Sequence, residues 1–141
     1  MRDWTNVSLL GFCCGLAACL ASPPAQAQTM TLAGSQSLAL KSGESTEVGN
    51  VYYVTNCKSL LKSTPEVEIL DGPPGVSASI KEAMVLPRFQ NCPAKVSGGT
   101  LVVSAKDIED SSYSRLTLRI IYKTKDGDRK VSHVFNLSLI P

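Results

Sequence analysis

The sequence predicts an all-β fold, and three features carry that prediction. From Thr29 to Pro141, the apolar residues form short alternating or β-branched runs, and no run keeps the spacing of an amphipathic helix. Gly, Pro, Asn, Asp and Ser separate these runs, as they commonly do between strands. Two long alternating runs flank Asp126-Gly127 near the end of the chain, which is a strong hairpin signal.

The alternating runs predict a series of short strands. In chain order these are Met30–Leu32, Ser37–Leu40, Glu47–Val48 with Val51–Val54, Glu66–Leu70, Val76–Ile80, Ala83–Leu86, Thr100–Ala105, Arg115–Thr124 and Lys130–Ile140. We expect Asp71–Gly75 to be a connection, because its two prolines remove ladder donors and its two glycines permit positive φ. Gly98-Gly99 similarly predicts a break before Thr100.

The C-terminal hairpin has the most specific pattern. A two-residue type I′ turn at Asp126-Gly127 predicts these pairs across the hairpin: Tyr122 with Val131, Ile120 with His133, Leu118 with Phe135, and Leu116 with Leu137. The other face would carry polar and charged residues, with Arg119, Thr117 and Arg115 opposite Val134, Asn136 and Ser138. One face of the hairpin is therefore apolar and must be covered by other strands.

Two packed antiparallel sheets would provide that cover, so we expect an immunoglobulin-like β-sandwich with one disulfide. A small closed β-barrel is the alternative, because alternation does not distinguish a sheet closed on itself from two facing sheets. The hallmarks of immunoglobulin domains are only partly present. The single tryptophan, Trp4, precedes the predicted domain, and Glu109–Tyr113 only loosely resembles a tyrosine corner.

The N-terminal segment predicts export. Residues Val7–Leu20 form an apolar run as long as a signal-peptide core and shorter than a membrane span. Ala25-Gln26-Ala27 fits a signal peptidase, so we expect residues 1–27 to be a signal peptide cut before Gln28 and residues 28–141 to be one β-sandwich domain. Alternatively, Leu16–Cys19 is a lipobox, and lipidated Cys19 anchors the protein to a membrane. No other apolar run reaches transmembrane length, and both interpretations place the protein in the periplasm, outside the cell or on a membrane surface.

The cysteines predict a single disulfide. Three of the five, Cys13, Cys14 and Cys19, belong to the leader, which leaves Cys57 and Cys92 in the predicted domain. An exported protein enters an oxidising compartment, so these two are expected to be bonded to each other. Their wide separation and the lack of a helical pattern after either one favour a structural bond over a redox motif.

A family resemblance is consistent with this interpretation. The run Leu116–Arg129, together with Asn56-Cys57, Asn91-Cys92 and Gly98-Gly99, resembles a group of small exported proteins from alphaproteobacteria. The resemblance covers roughly Gly43 to Pro141. It implies export, the disulfide and one β domain, but no activity and no catalytic residue.

The composition favours a protein that is not an enzyme. Hydrophobic residues at 43% are enough for a core, while charged residues at 18% and a net charge of +2 do not suggest a disordered charged tail. The only histidine, His133, lies on the predicted inward face, where we expect a partly buried structural role. Two carboxylate sets are the remaining candidates for acid chemistry or ion binding: Glu66 with Glu68, and Asp107 with Glu109 and Asp110. Neither set has the spacing of a known motif, so no cofactor and no metal are expected.

The candidate binding features are modest. The hairpin tip carries Lys123, Lys125, Arg129 and Lys130 with Asp126 and Asp128, and we interpret it as a solvated charged end. Nucleic acid is not an expected partner, because the mature chain has few aromatic residues for stacking. Tyr52 and Tyr53 alternate across their strand, so one of them is a candidate for an exposed carbohydrate contact.

These observations favour a non-enzymatic exported β-sandwich that acts by protein–protein contact in the bacterial envelope, with an unidentified partner. The alternative is an enzyme inhibitor that presents the Asp71–Gly75 loop, because its prolines reduce the entropy lost on binding. A hydrolase or metal-binding protein that uses the two carboxylate sets is a further alternative.

Overall fold

The computed structural model describes residues 28–32, 37–88 and 91–141. The predicted signal peptide, its cut site and the alternative anchor Cys19 lie outside the described residues. The described chain forms nine strands: β1 (Gln28–Leu32), β2 (Ser37–Lys41), β3 (Ser45–Thr55), β4 (Lys58–Ser59), β5 (Glu66–Asp71), β6 (Val76–Val85), β7 (Val96–Ala105), β8 (Ser112–Thr124) and β9 (Gly127–Ile140).

The strands form two facing sheets. Sheet 1 has the order β1-β3-β7-β6, with β4 also paired to β3, and sheet 2 has the order β2-β9-β8-β5. The strand order of sheet 1 matches strands A, B, E and D of an immunoglobulin domain, which correspond to β1, β3, β7 and β6. In sheet 2, strands C, F and G correspond to β5, β8 and β9. The predicted immunoglobulin-like sandwich is confirmed. One pair departs from the all-antiparallel expectation, because β2 runs parallel to β9.

Three predicted strand boundaries were wrong for local reasons. The break expected between Val48 and Val51 is a bulge within β3, where the pairing with β7 shifts between Glu47 and Gly49. The runs 76–80 and 83–86 are one strand, β6. Gly98 and Gly99 lie inside β7 and do not form a break. Both positions require glycine, because a Cβ at Gly98 would collide with the carbonyl oxygen of Val51 and a Cβ at Gly99 with the side chain of Ile80.

The β8–β9 hairpin is confirmed, but its predicted register was wrong by two residues. Thr124 pairs with Gly127, so the turn residues are Lys125 and Asp126 rather than Asp126 and Gly127. Gly127, the first residue after the turn, has a φ of 107°, a conformation that glycine adopts without steric cost. A shift of two residues keeps each side chain on its face, so the predicted apolar face remained correct.

The type I′ geometry occurs at a turn that the sequence did not indicate. Asn56 and Cys57 have φ values of 51° and 60°, and they join β3 to the short strand β4 through the pair Thr55 and Lys58. Cys57 thus occupies a left-handed conformation that non-glycine residues adopt infrequently. β4 itself was not predicted, because two residues are too few to show alternation.

The main core lies between the sheets. It is built from fully buried residues on alternate positions of both sheets, which include Val51, Leu101, Val103, Leu116, Leu118, Ile120, Tyr122, Phe135 and Leu137. Each such side chain contributes roughly 1.5–3 kcal/mol by leaving water. The core therefore fixes which residues of every strand face inward and which face solvent.

A second apolar cluster lies on the opposite side of sheet 1. Tyr52, Val54, Val85 and Val96 are buried although they alternate with inward-facing residues. We attribute their burial to the connection between β6 and β7, whose Cys92 is only 7% exposed.

The predicted disulfide ties that connection to the end of β3. Cys57 and Cys92 are bonded, with Cα atoms 5.4 Å apart and a sequence separation of 35. Both anchor points belong to sheet 1 and its connections, so the bond does not join the two sheets as the immunoglobulin disulfide does.

Candidate interaction surface

The first candidate carboxylate pair is engaged by cations. Glu66 and Glu68 lie on the outer face of sheet 2, as expected for alternate residues of β5. The Glu68 Oε1 atom accepts a hydrogen bond of 3.0 Å from Nη1 of Arg119. The Glu66 Oε2 atom lies 3.8 Å from Nζ of Lys123. Both carboxylates are exposed on a flat sheet face, which does not favour the shared proton of an acid pair.

The second carboxylate set lies at the other end of the sandwich. Asp107, Glu109 and Asp110 are exposed in the connection between β7 and β8, and they border a shallow pocket of about 230 Å³ with Pro73 and Pro74. Across the described ranges, no three His, Cys, Asp or Glu side chains are placed to hold a metal ion. The two carboxylate sets are not brought together.

His133 faces the core side of β9, opposite Leu118, as its predicted phase requires. The side chain is half-buried, and its Nε2 atom is shielded from solvent without a hydrogen-bond partner. Burial lowers the pKa of His133, because the charged imidazole would lose its hydration. Burial therefore favours the neutral form of the His133 imidazole.

The basic hairpin tip is partly neutralised by its own acids. Nζ of Lys123 donates a hydrogen bond of 3.0 Å to Oδ2 of Asp128. This hydrogen bond, with the nearby charges of Asp128 and Glu66, raises the pKa of Lys123. The network supports the interpretation of the tip as a solvated charged end.

The tyrosines are arranged differently from the expectation. Tyr52 is fully buried in the outer cluster. Tyr53 is half-buried, and its ring centroid lies 5.4 Å from that of Tyr122. Tyr113 is 91% exposed, which excludes the buried role of a tyrosine corner. Among the described residues, the exposed aromatic side chain is therefore that of Tyr113. Its odd number in β8 placed it on the face opposite Leu116 and Leu118, so the sequence contained this signal.

Tyr113 belongs to a surface that we call the β8–β9 patch, defined by the outward residues Tyr113, Arg115, Thr117, Val134, Asn136, Ser138 and Ile140. The register pairs Tyr113 with Ser138, Arg115 with Asn136, and Thr117 with Val134. The three rows span about 14 Å along the strands. Val134 and Ile140 are each 44% exposed. Tyrosine, asparagine and serine are enriched in antibody paratopes, so this face has the composition of a protein-binding surface.

The two arginines of β8 differ in what they contact. Arg119 forms an ion pair with Glu68. Arg115 lies opposite the neutral Asn136 and has no ion-pair partner among the described residues. Tyrosine and arginine are the residues most enriched at energetic centres of interfaces. Tyr113 and Arg115 lie on one face, two residues apart, so the β8–β9 patch offers both types together.

A strap between β4 and β5 joins the two sheets at the end where the hairpin tip lies. The amide of Leu60 donates to the carbonyl oxygen of Tyr53 in sheet 1, at 2.8 Å, and the amide of Lys62 donates to that of Lys123 in sheet 2, at 2.9 Å. A groove of about 310 Å³ separates the strap from β6, with Lys62, Glu82 and Met84 in its walls. A second groove of about 430 Å³ lies towards the hairpin tip, with Tyr53 and Arg129 in its walls. Neither groove contains a histidine or a paired set of carboxylates.

The chain matches no family model, no curated protein and no solved structure. Its described residues include no helix able to span a membrane.

Proposed function

We propose that this protein is an exported, non-catalytic β-sandwich that acts by protein–protein contact in the bacterial envelope, through the β8–β9 patch. The observation that carries the proposal is the exposure of Tyr113 beside an arginine without a described ionic partner. A tyrosine that is 91% exposed leaves most of its apolar ring in water, and a partner that covers it would gain that burial.

The electrostatics of the patch indicate the chemistry of the partner. Arg115 can offer both ends of its guanidinium to a carboxylate, whereas Arg119 is already occupied by Glu68. The partner surface is therefore expected to place an acidic side chain opposite Arg115 and an apolar or aromatic one over Val134.

Site-specific photocrosslinking in intact envelopes tests this proposal. A photoreactive amino acid replaces Tyr113 in one variant and Glu47, an exposed strand position of sheet 1, in a matched control. We expect one discrete adduct from position 113, none from position 47, and loss of the adduct when Arg115→Glu is added. Adducts of equal yield from both positions, or no adduct from position 113, would refute the patch.

The leader is tested separately by the intact mass of the natural protein. We expect a chain that begins at Gln28 and carries no lipid. A diacylated Cys19 at the N-terminus would instead show a membrane anchor, and the surface proposal would then apply to an anchored domain.

An inhibitor that uses the Asp71–Gly75 loop is the second candidate, and one observation favours it. The carbonyl oxygen of Gly75 accepts a 2.8 Å hydrogen bond from the amide of Lys106, so the loop is fixed to the body beside two prolines. Replacing Pro73 and Pro74 by alanine would weaken binding in this case and leave it unchanged if the β8–β9 patch is used.

A further inference from the structure

The sandwich has four strand edges, and β6 differs from the other three. The pairing of β1 is irregular between Gln28 and Met30, and that of β5 is irregular between Ile69 and Asp71. β2 has only five residues. All ten residues of β6 pair with consecutive residues of β7, without a shift in register.

No described strand pairs with the other side of β6. β6 ends the strand order of sheet 1, and the described backbone hydrogen bonds outside the strands include none to its residues. Natural edge strands are usually protected by proline, a bulge, short length or many charges. β6 contains no proline and no bulge, and its charged residues are Lys81 and Glu82. An edge of this kind is suited to accept another strand.

We propose that β6 pairs with β6 of a second copy of this chain, in an antiparallel arrangement about a two-fold axis. An axis perpendicular to the sheet keeps the inner and outer faces aligned, so paired residues must share a face. Only registers that pair even with even and odd with odd numbers meet this condition. The result is one continuous sheet, in which each copy contributes β1, β3, β7 and β6.

The charges of β6 and the length of strand that pairs together select one of these registers. A centre at Lys81 or at Glu82 would place two like charges directly opposite each other, which is unfavourable. A centre at Ile80 pairs Val76 with Met84 of the second copy and Ser79 with Lys81 of the second copy. In this register, residues 76–84 of one copy pair with residues 84–76 of the other. A centre nearer either end of β6 would pair fewer residues.

Apolar side chains add to the backbone pairing at both ends of this register. Met84 is 58% exposed in the single chain, and in the pair it lies opposite Val76 of the second copy. The sequence thus gives an apolar contact at each end and no directly opposed like charges. These features favour a second copy over an unrelated extended peptide.

Charge substitutions at Ser79 test the register without disturbing the fold, because Ser79 is exposed. Sedimentation velocity of the exported protein, purified and studied between 1 and about 200 μM, should show a monomer–dimer equilibrium. Ser79→Lys places a like charge opposite Lys81 of the second copy and should raise the dissociation constant about fivefold, because two cross-strand pairs change per dimer. Ser79→Glu should lower it by a similar factor.

Ser111→Lys is the matched control, since it adds the same charge in an exposed loop and should leave the dissociation constant unchanged. A monomer at every concentration would overturn the proposal, as would a dimer that responds equally to Ser79→Lys and Ser111→Lys. Mixing Ser79→Cys and Lys81→Cys variants gives an independent readout, because cross-linked heterodimers should exceed cross-linked homodimers of either variant. This outcome does not depend on the β8–β9 patch, which lies on the other sheet.

Discussion

Removing the disulfide should destabilise the protein by an amount that the loop length determines. Cys57 and Cys92 are separated by 35 positions, and the chain-entropy model gives about 4 kcal/mol for closing a loop of that size. A domain of this size loses about 4 to 5 °C in melting temperature for each kcal/mol. We therefore expect Cys57→Ala with Cys92→Ala to lower the melting temperature by about 16 to 20 °C.

Thermal unfolding followed by circular dichroism measures this change, with reductant as the internal control. Reductant should lower the melting temperature of the native protein to that of the double variant and should not affect the variant. Hydrogen exchange gives the location of the effect, because the β6–β7 connection over Tyr52 should lose protection before β8 and β9 do. A loss of less than about 5 °C would show that the connection stays in place without the bond, and the reasoning would fail.

The backbone at Cys57 provides a second test of the same site. Its φ of 60° is costly for a residue with a Cβ and costs glycine nothing. Cys57→Gly with Cys92→Ala should therefore be more stable than the double alanine variant, by about 1 kcal/mol. Equal stabilities would indicate that the turn relaxes once the disulfide is absent.

Three further predictions concern the core and the surface. Gly99→Ala should destabilise the protein by about 1–3 kcal/mol in urea unfolding, because the added methyl group collides with Ile80; an unchanged midpoint would contradict the close approach of β6 and β7. Burial lowers the pKa of His133, so the unfolded chain binds its proton more readily, and stability should fall as the pH drops below the unfolded value of about 6.5. His133→Leu should remove that part of the pH dependence between pH 7.5 and 5.5, and identical pH profiles would show that His133 does not contribute. Glu68→Gln should change stability by less than about 1 kcal/mol, since its pair with Arg119 is exposed to solvent, and a larger loss would assign it a structural role.

The sequence predicted the features of the fold that depend on alternation and on cysteine count. The apolar face of β8 and β9 followed from a period of two. The wrong turn assignment did not change this face, because it shifted the register of the hairpin by an even number of residues. The Cys57–Cys92 bond followed from there being only two cysteines after the predicted leader. These signals are local or arithmetic, so they required no knowledge of the three-dimensional contacts.

The errors arose where long-range packing determined the role of a residue. Gly98 and Gly99 have the composition of a break, but they are required inside β7 because neighbouring strands leave no room for a Cβ. Asp126-Gly127 has the composition of a type I′ turn, but the turn residues are Lys125 and Asp126, and Gly127 begins β9 opposite Thr124. The outer cluster around Tyr52 could not be anticipated, because its cover comes from a connection without alternation.

The candidate surface was only partly accessible from sequence. The predicted strand began at Arg115 and did not include Tyr113, which lies within β8. The pairing of Tyr113 with Ser138 follows from the observed register. The sequence predicted the connection at Asp71–Gly75 but not which strand β5 pairs with, and that pairing places Glu68 opposite Arg119.

The place of β9 between β2 and β8 determines when the protein can fold during its synthesis. The last fourteen-residue strand is the centre of sheet 2, and it joins an early strand to a late one. In a nascent chain that lacks residues 127–140, sheet 2 has no strand between β2 and β8. Pairings between strands that are distant in sequence, such as β2 and β9, also form slowly. Residues 127–140 must therefore be synthesised before sheet 2 can reach its native arrangement.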